Sequence, residues 1–162
     1  MSPTLFSFIS ACTALIATIV GPYVSVRTAK SQINANVISA NRAKWIETMR
    51  DQVASVISQI KVYMMLRAHL HHQGNTDLGA NPELLMSIEK GLNTVTTIRL
   101  MINPSEPDNQ MLVQTLDLTL ACLRSGEDQA HMEGQIAAYS EEIIRLSQAI
   151  LKREWVRVKQ GT

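Results

Sequence analysis

The sequence predicts an all-α protein: one N-terminal transmembrane helix that continues into a long stalk helix and carries a cytoplasmic antiparallel helical bundle. Three observations lead there. Apolar residues recur at alternating spacings of three and four along most of the chain. No stretch alternates apolar and polar residues as a half-buried strand would. The first 26 residues carry no charged side chain, unlike everything that follows.

The N-terminal element is taken as an anchor over residues 1–26. Thr4 to Val26 would rise roughly 34 Å as a helix, enough for a hydrocarbon core of about 30 Å. A cleaved signal peptide would show a basic leading region and a small-residue exit, and neither is present. Ile9-Ser10-Ala11-Cys12 has the look of a lipoprotein box, but the apolar run continues past Cys12. Arg27, Lys30, Arg42 and Lys44 all follow the span, which places the expected N-terminus outside and the C-terminal domain in the cytoplasm.

Residues 27–74 form the stalk. Ile46, Met49, Val53, Val56, Ile60, Tyr63 and Leu70 fall on a heptad spacing broken only by Arg67, giving one narrow apolar seam. Gly21-Pro22 is the expected kink, because proline lacks an N–H and crowds the preceding turn. Residues 75–162 are expected to fold as the helical domain packed on the stalk. Asn81-Pro82-Glu83 combines an N-cap, a first-turn proline and a first-turn acid. Leu85, Ile88, Leu92, Val95 and Ile102 are its expected stripe, stopped by Pro104. Ser105-Glu106-Pro107-Asp108 starts a third helix, with Met111, Leu112, Leu116, Leu120 and Leu123 inward and Ser125-Gly126 as its end. The last helix repeats Met132, Ile136, Tyr139, Ile143, Leu146 and Ile150. Connections of a few residues favour antiparallel neighbours.

Charge and cysteine usage narrow the function. Arg27 to Gly74 holds seven basic against two acidic residues, whereas Asn75 onward holds eight basic and twelve acidic. An acidic distal lobe is not a nucleic-acid surface. Two cysteines, Cys12 and Cys122, make no disulfide framework. Neither has a His or acid neighbour in sequence, and there is no nucleophile elbow or phosphate-binding glycine loop, so catalysis is not expected. Of His69, His71 and His72, only the first and last share a helix face, and no further ligand is near besides Asp77, so no metal and no cofactor are expected.

Two features remain as candidate contact sites. Ser10, Ala14, Ala17 and Gly21 put small side chains on one face of the anchor, where membrane helices could approach closely and self-associate. Hydroxyls at Ser7, Ser10 and Thr13 raise a pore as the alternative, against the lack of any charge in the span. The only two tryptophans sit in dense clusters: Asn41, Arg42, Trp45 and Arg50 after the anchor, and Glu154, Trp155 and Arg157 near the C-terminus. Buried indoles anchor helix contacts and need an N–H partner, so each cluster is either packing or a partner-binding patch.

Asn41-Arg42-x-x-Trp45-Ile46-x-x-x-Arg50, Ile98-Arg99-Leu100-Met101-Ile102-Asn103-Pro104-x-Glu106 and Leu151-Lys152-x-Glu154-Trp155-x-Arg157-Val158-Lys159 occur in that order. In these strings the chain resembles a group of small uncharacterised bacterial single-pass membrane proteins. The resemblance implies a bacterial origin, and with it an inner-membrane location, and an anchor-plus-helices plan; it implies no chemistry. The expected function is thus a non-enzymatic membrane-anchored scaffold that homo-oligomerises and presents its domain to an unidentified protein partner. The alternative is an oligomeric pore-forming effector, for example in phage defence or a toxin system.

Overall fold

In the computed structural model, residues 3–74, 81–125 and 129–160 are described, with the side chains of all but 3–12, 15–17, 19, 31, 34 and 129 among them. Every regular element among these residues is helical: α1 (Pro3–His72), α2 (Pro82–Met101), α3 (Pro107–Arg124) and α4 (Gln129–Gln160). The stalk and the expected anchor are one 70-residue helix that passes through Pro22 without ending, about 105 Å long at the usual rise. Among its described side chains, the first to be buried is Ile46, and the buried series runs on from there to Leu70. Trp45 lies against Met101, Tyr63 against Leu123 and Arg42 against Glu154, so α2, α3 and α4 run antiparallel, parallel and antiparallel to α1. The helices α2 and α4 flank α1, and α3 closes on α4 while barely touching α2.

Start signals in the sequence account for where the helices begin. The Asn81 side chain accepts hydrogen bonds from the backbone N–H groups of Glu83 (3.0 Å) and Leu84 (3.2 Å), and Pro82 occupies the first turn, where its missing N–H costs nothing. Glu106 sits at the α3 N-cap but makes no side-chain cap, because its carboxylate is engaged elsewhere.

The core follows the α1 seam. Ile46, Met49, Val53, Val56, Ile60, Tyr63 and Leu70 are buried, and Arg67 is buried with them at the seam position that interrupts the apolar series. Its Nη1 donates to the Ser125 carbonyl, 3.2 Å away, so the guanidinium sits at the C-terminal end of α3 where the helix dipole favours a cation. On α4, Met132, Ile136, Ile143, Leu146 and Ile150 are buried and Tyr139 partly so.

Two registers differ from expectation. On α2 the buried row is Leu84, Val95, Ile98 and Ile102, while Leu85 is half exposed. The Asn81 cap and contact with α1 select Leu84 from the apolar triplet Leu84-Leu85-Met86. On α3, Met111 is exposed, and Thr115 and Thr119 are buried beside Leu112, Leu116 and Leu123. Each threonine donates its hydroxyl to the carbonyl four residues earlier, at 2.9 and 2.8 Å, and then packs as a small apolar group.

The expected inner-membrane location, with its N-outside orientation and cytoplasmic domain, is corrected here. Among the described residues, no helix is long and apolar enough to cross a membrane. Thr13, Thr18, Gly21, Pro22 and Ser25 interrupt the described apolar residues, and Arg27 and Lys30 follow within two turns. Of the expected small-residue interface, Ala14 and Gly21 are exposed, with open space around Gly21. Ser10 and Ala17 lie outside the described side chains, as does Cys12.

Two substitutions test this packing. Val56→Asp places a carboxylate at a position only 2% exposed, which costs several kcal/mol or forces protonation. Its thermal transition by circular dichroism should fall sharply at neutral pH; an unchanged melt would mean Val56 faces solvent. Asn81→Ala removes a working cap and should cost about 1 kcal/mol in chemical denaturation.

Candidate functional site at the foot of the bundle

Where α1 enters the bundle, the segments carrying the three strings meet. Trp45 stands on the α1 seam just ahead of Met49, and its Nε1–H donates to the Met101 carbonyl at 2.9 Å. Met101 is the last residue of α2, whose final carbonyls lack partners within the helix. The indole therefore ends α2, which has an extended Ile102 after it and no glycine to turn the chain back. Beyond Ile102 the chain folds tightly around Asn103, whose Oδ1 accepts from the N–H (3.0 Å) and hydroxyl (2.8 Å) of Ser105.

This turn delivers Glu106 and Asp108 to a row of arginines on α4. Arg42 Nε on α1 lies 3.4 Å from Glu154, and Glu154 lies 2.5 Å from Arg157 Nη1. Arg157 reaches Glu106 at 3.3 Å, Glu106 also pairs with Arg153, and Arg153 Nη1 lies 2.7 Å from Asp108. Six side chains from three elements thus alternate in sign and sum to zero. Glu154 is the most enclosed of the acids at 12% exposure. The Glu154 carboxylate, with Glu106, holds the Arg157 guanidinium above its ordinary value, so it stays charged at any pH the fold survives.

Asn109 completes the floor. Its Nδ2 donates to the Asn103 carbonyl (3.0 Å) and to Glu106 (3.3 Å). Asn109 Oδ1, Arg42 Nη1 and Arg153 Nε are buried and make no hydrogen bond. Bidentate and charge-assisted bonds are geometrically demanding, so the array resists sliding of α4 against α1 even though each exposed pair adds little stability.

The structure brings Arg42, Trp45, Glu154 and Arg157 together, with exposed Asn41 on the rim of the cleft they line. It leaves two of the singled-out residues apart. Arg50 stands further along α1, on the groove toward α4. Trp155 is 48% exposed, with Lys159 Nζ 5.8 Å from its ring centroid, a cation–π distance. The sequence spacing did not point to Glu106, Asp108, Asn109 and Arg153 as site residues. The Ser-Glu-Pro-Asp string satisfies a local helix-start rule, and only the meeting of α3 with α4 shows a second use for its acids.

No family model, no curated protein and no solved structure matches this chain.

The ion chain yields a direct test. Trp45→Phe keeps an aromatic ring but loses part of the indole's volume and strips the Met101 carbonyl of its donor, and should cost about 2 kcal/mol. Arg42→Ala, Glu154→Ala and the double variant should show positive coupling in a denaturant cycle, shrinking as salt rises. Strict additivity would mean the two side chains do not interact.

Proposed function

We propose that the chain is a non-enzymatic assembly protein, in which the free half of α1 joins copies together and the bundle is offered to a protein partner. The observation that carries this is a second apolar row on α1, separate from the bundle seam. Tyr23, Val26, Ile33 and Val37 are 68%, 67%, 60% and 51% exposed. With Lys30 they fall at spacings of three, four, three and four. The row lies about 130° around the helix from the buried seam and on roughly the opposite side from Ala14 and Gly21.

Before Ile38, none of the described side chains of α1 is buried. A lone helix in water gains little from propensity alone, and most helices in proteins are held by burial of a face. A heptad row of aromatic and β-branched residues supplies such a face to a matching row on a second copy. Lys30 in the middle of the row acts as a polar residue at a core position does: it lowers stability and limits the registers the helices can adopt. At the foot, the alternating ion chain fixes the bundle against the emerging arm. The titratable groups of that site are matched into ion pairs, which fits a brace better than a general acid or base. A membrane pore would need a span that no described helix provides.

Mass measured by sedimentation equilibrium tests the self-association. Val26→Asp with Ile33→Asp should convert the assembly to monomer while leaving the bundle melt unchanged, since neither residue touches the core. Raising salt should strengthen the wild-type assembly by screening Arg27 and Lys30 of one copy from those of another. A wild-type chain that is monomeric at high micromolar concentration would refute this role for the row.

A further inference from the structure

On the far side of the bundle from its core, α1 and α4 leave an open groove whose floor is apolar and whose α1 rim carries two cations. Ile57, Ile144 and Leu151 form the floor, Ile144 being 40% exposed, and the lining contains no acidic residue. Arg50 and Lys61 stand on the α1 side. Both are exposed, and among the described residues neither lies within ion-pair distance of a carboxylate. Eleven residues separate them along one helix, which is three turns and about 16 Å with only about 20° of rotation between them. They are two aligned positive charges over an apolar trough. Within it, Ser147 is 2% exposed, and its buried hydroxyl has no hydrogen-bond partner.

We propose that this groove receives an acidic amphipathic helix from a partner protein, its apolar face on Ile57, Ile144 and Leu151 and two carboxylates three turns apart on Arg50 and Lys61. The inference rests on the reading that the bundle is offered to a partner, and it states that partner's chemistry. Helices that bind in grooves present anchors at i, i+3, i+4 and i+7, and a trough between two antiparallel helices suits that spacing. Charge complementarity chooses the occupant. The free half of α1 from a second copy brings Arg27 and Lys30 and would set like charges against Arg50 and Lys61. Along the described helices, the one pair of carboxylates eleven residues apart is Glu106 with Asp117, and these already hold Arg153, Arg157 and Arg99. A second copy therefore has no free pair of carboxylates at the required spacing on its described helices.

The test uses the full chain and two fluorescent helical peptides of about six turns. Both carry the same leucine heptads; one has Glu at two outer positions eleven residues apart, and the other has Lys there. Anisotropy titration should show the Glu peptide binding at least about tenfold tighter, and Arg50→Glu with Lys61→Glu should reverse that order. Ile144→Asp should weaken the Glu peptide by at least about tenfold with the assembly mass unchanged. Equal affinity for the two peptides, or an order that survives the charge reversal, overturns the proposal. A drop in assembly mass on Ile144→Asp would assign the groove to a second copy and equally overturn it. A wild-type chain that is monomeric at high micromolar concentration while the peptide preference persists would count against the oligomer reading alone, so the two failures are distinguishable.

Discussion

The continuity of α1 governs the rest of the structure. A helix transmits direction along its whole length, so burying the stretch from Ile46 to Leu70 also sets where Tyr23 to Val37 can be. The same helix finishes its neighbours. Trp45 donates to the last carbonyl of α2, Tyr63 Oη donates to the Leu123 carbonyl at 2.7 Å, and Arg67 donates to the Ser125 carbonyl just past α3. Helices commonly end on a glycine in the left-handed conformation. Here Ile102 and Ser125, the residues after α2 and α3, are extended instead, and α1 side chains meet the open carbonyls. The lengths of α2 and α3 are therefore tied to the register of α1, and a slip of one turn would cost these bonds together with the apolar contacts between them.

That dependence explains why the polar foot is built as it is. Burial of apolar area alone discriminates weakly between registers of α4 on α1, because the hydrophobic effect is non-directional. Arg42, Glu154, Arg157, Glu106, Arg153 and Asp108 have no such freedom, since moving one member misaligns charges on both sides of it. The array sums to zero, so it adds definition without drawing in counter-ions.

Local signals in the sequence were strong wherever one helix decided the matter. The α1 seam and the α4 row have the period of a helix packed along one line, and Asn81-Pro82 marks a start whatever follows. The sequence misled where partners decide. Leu84, not Leu85, is buried because α1 selects among three adjacent apolar residues, and Thr115 and Thr119 are buried because the helix backbone meets their hydroxyls. Glu106 and Asp108 read as helix-start residues until α4 is seen beside them. The membrane location came from the length of the uncharged stretch over residues 1–26, and no described helix is apolar enough to bear it out. Lack of charge says nothing of arrangement: Tyr23, Val26, Ile33 and Val37 align as a heptad row that crosses the expected anchor–stalk boundary, and the alignment becomes informative once the bundle seam is seen to use another face.

Under the proposed function, the distribution of charge follows from a division of labour along α1. An arm that met its own copies through an apolar row would tolerate a few like charges, because salt screens Arg27 and Lys30 of one copy from those of another. On the bundle the same sign serves selection. Arg50 and Lys61 repel a second basic arm from the α1–α4 groove while leaving it open to a helix of opposite charge. In that reading self-contact and partner contact fall on different faces of one helix, with the Tyr23 to Val37 row proposed for copies and the Arg50 to Lys61 rim for a partner. The braced foot between them holds the two faces in a constant relation, so a partner bound in the groove would sit at a fixed height and angle from the line along which copies join.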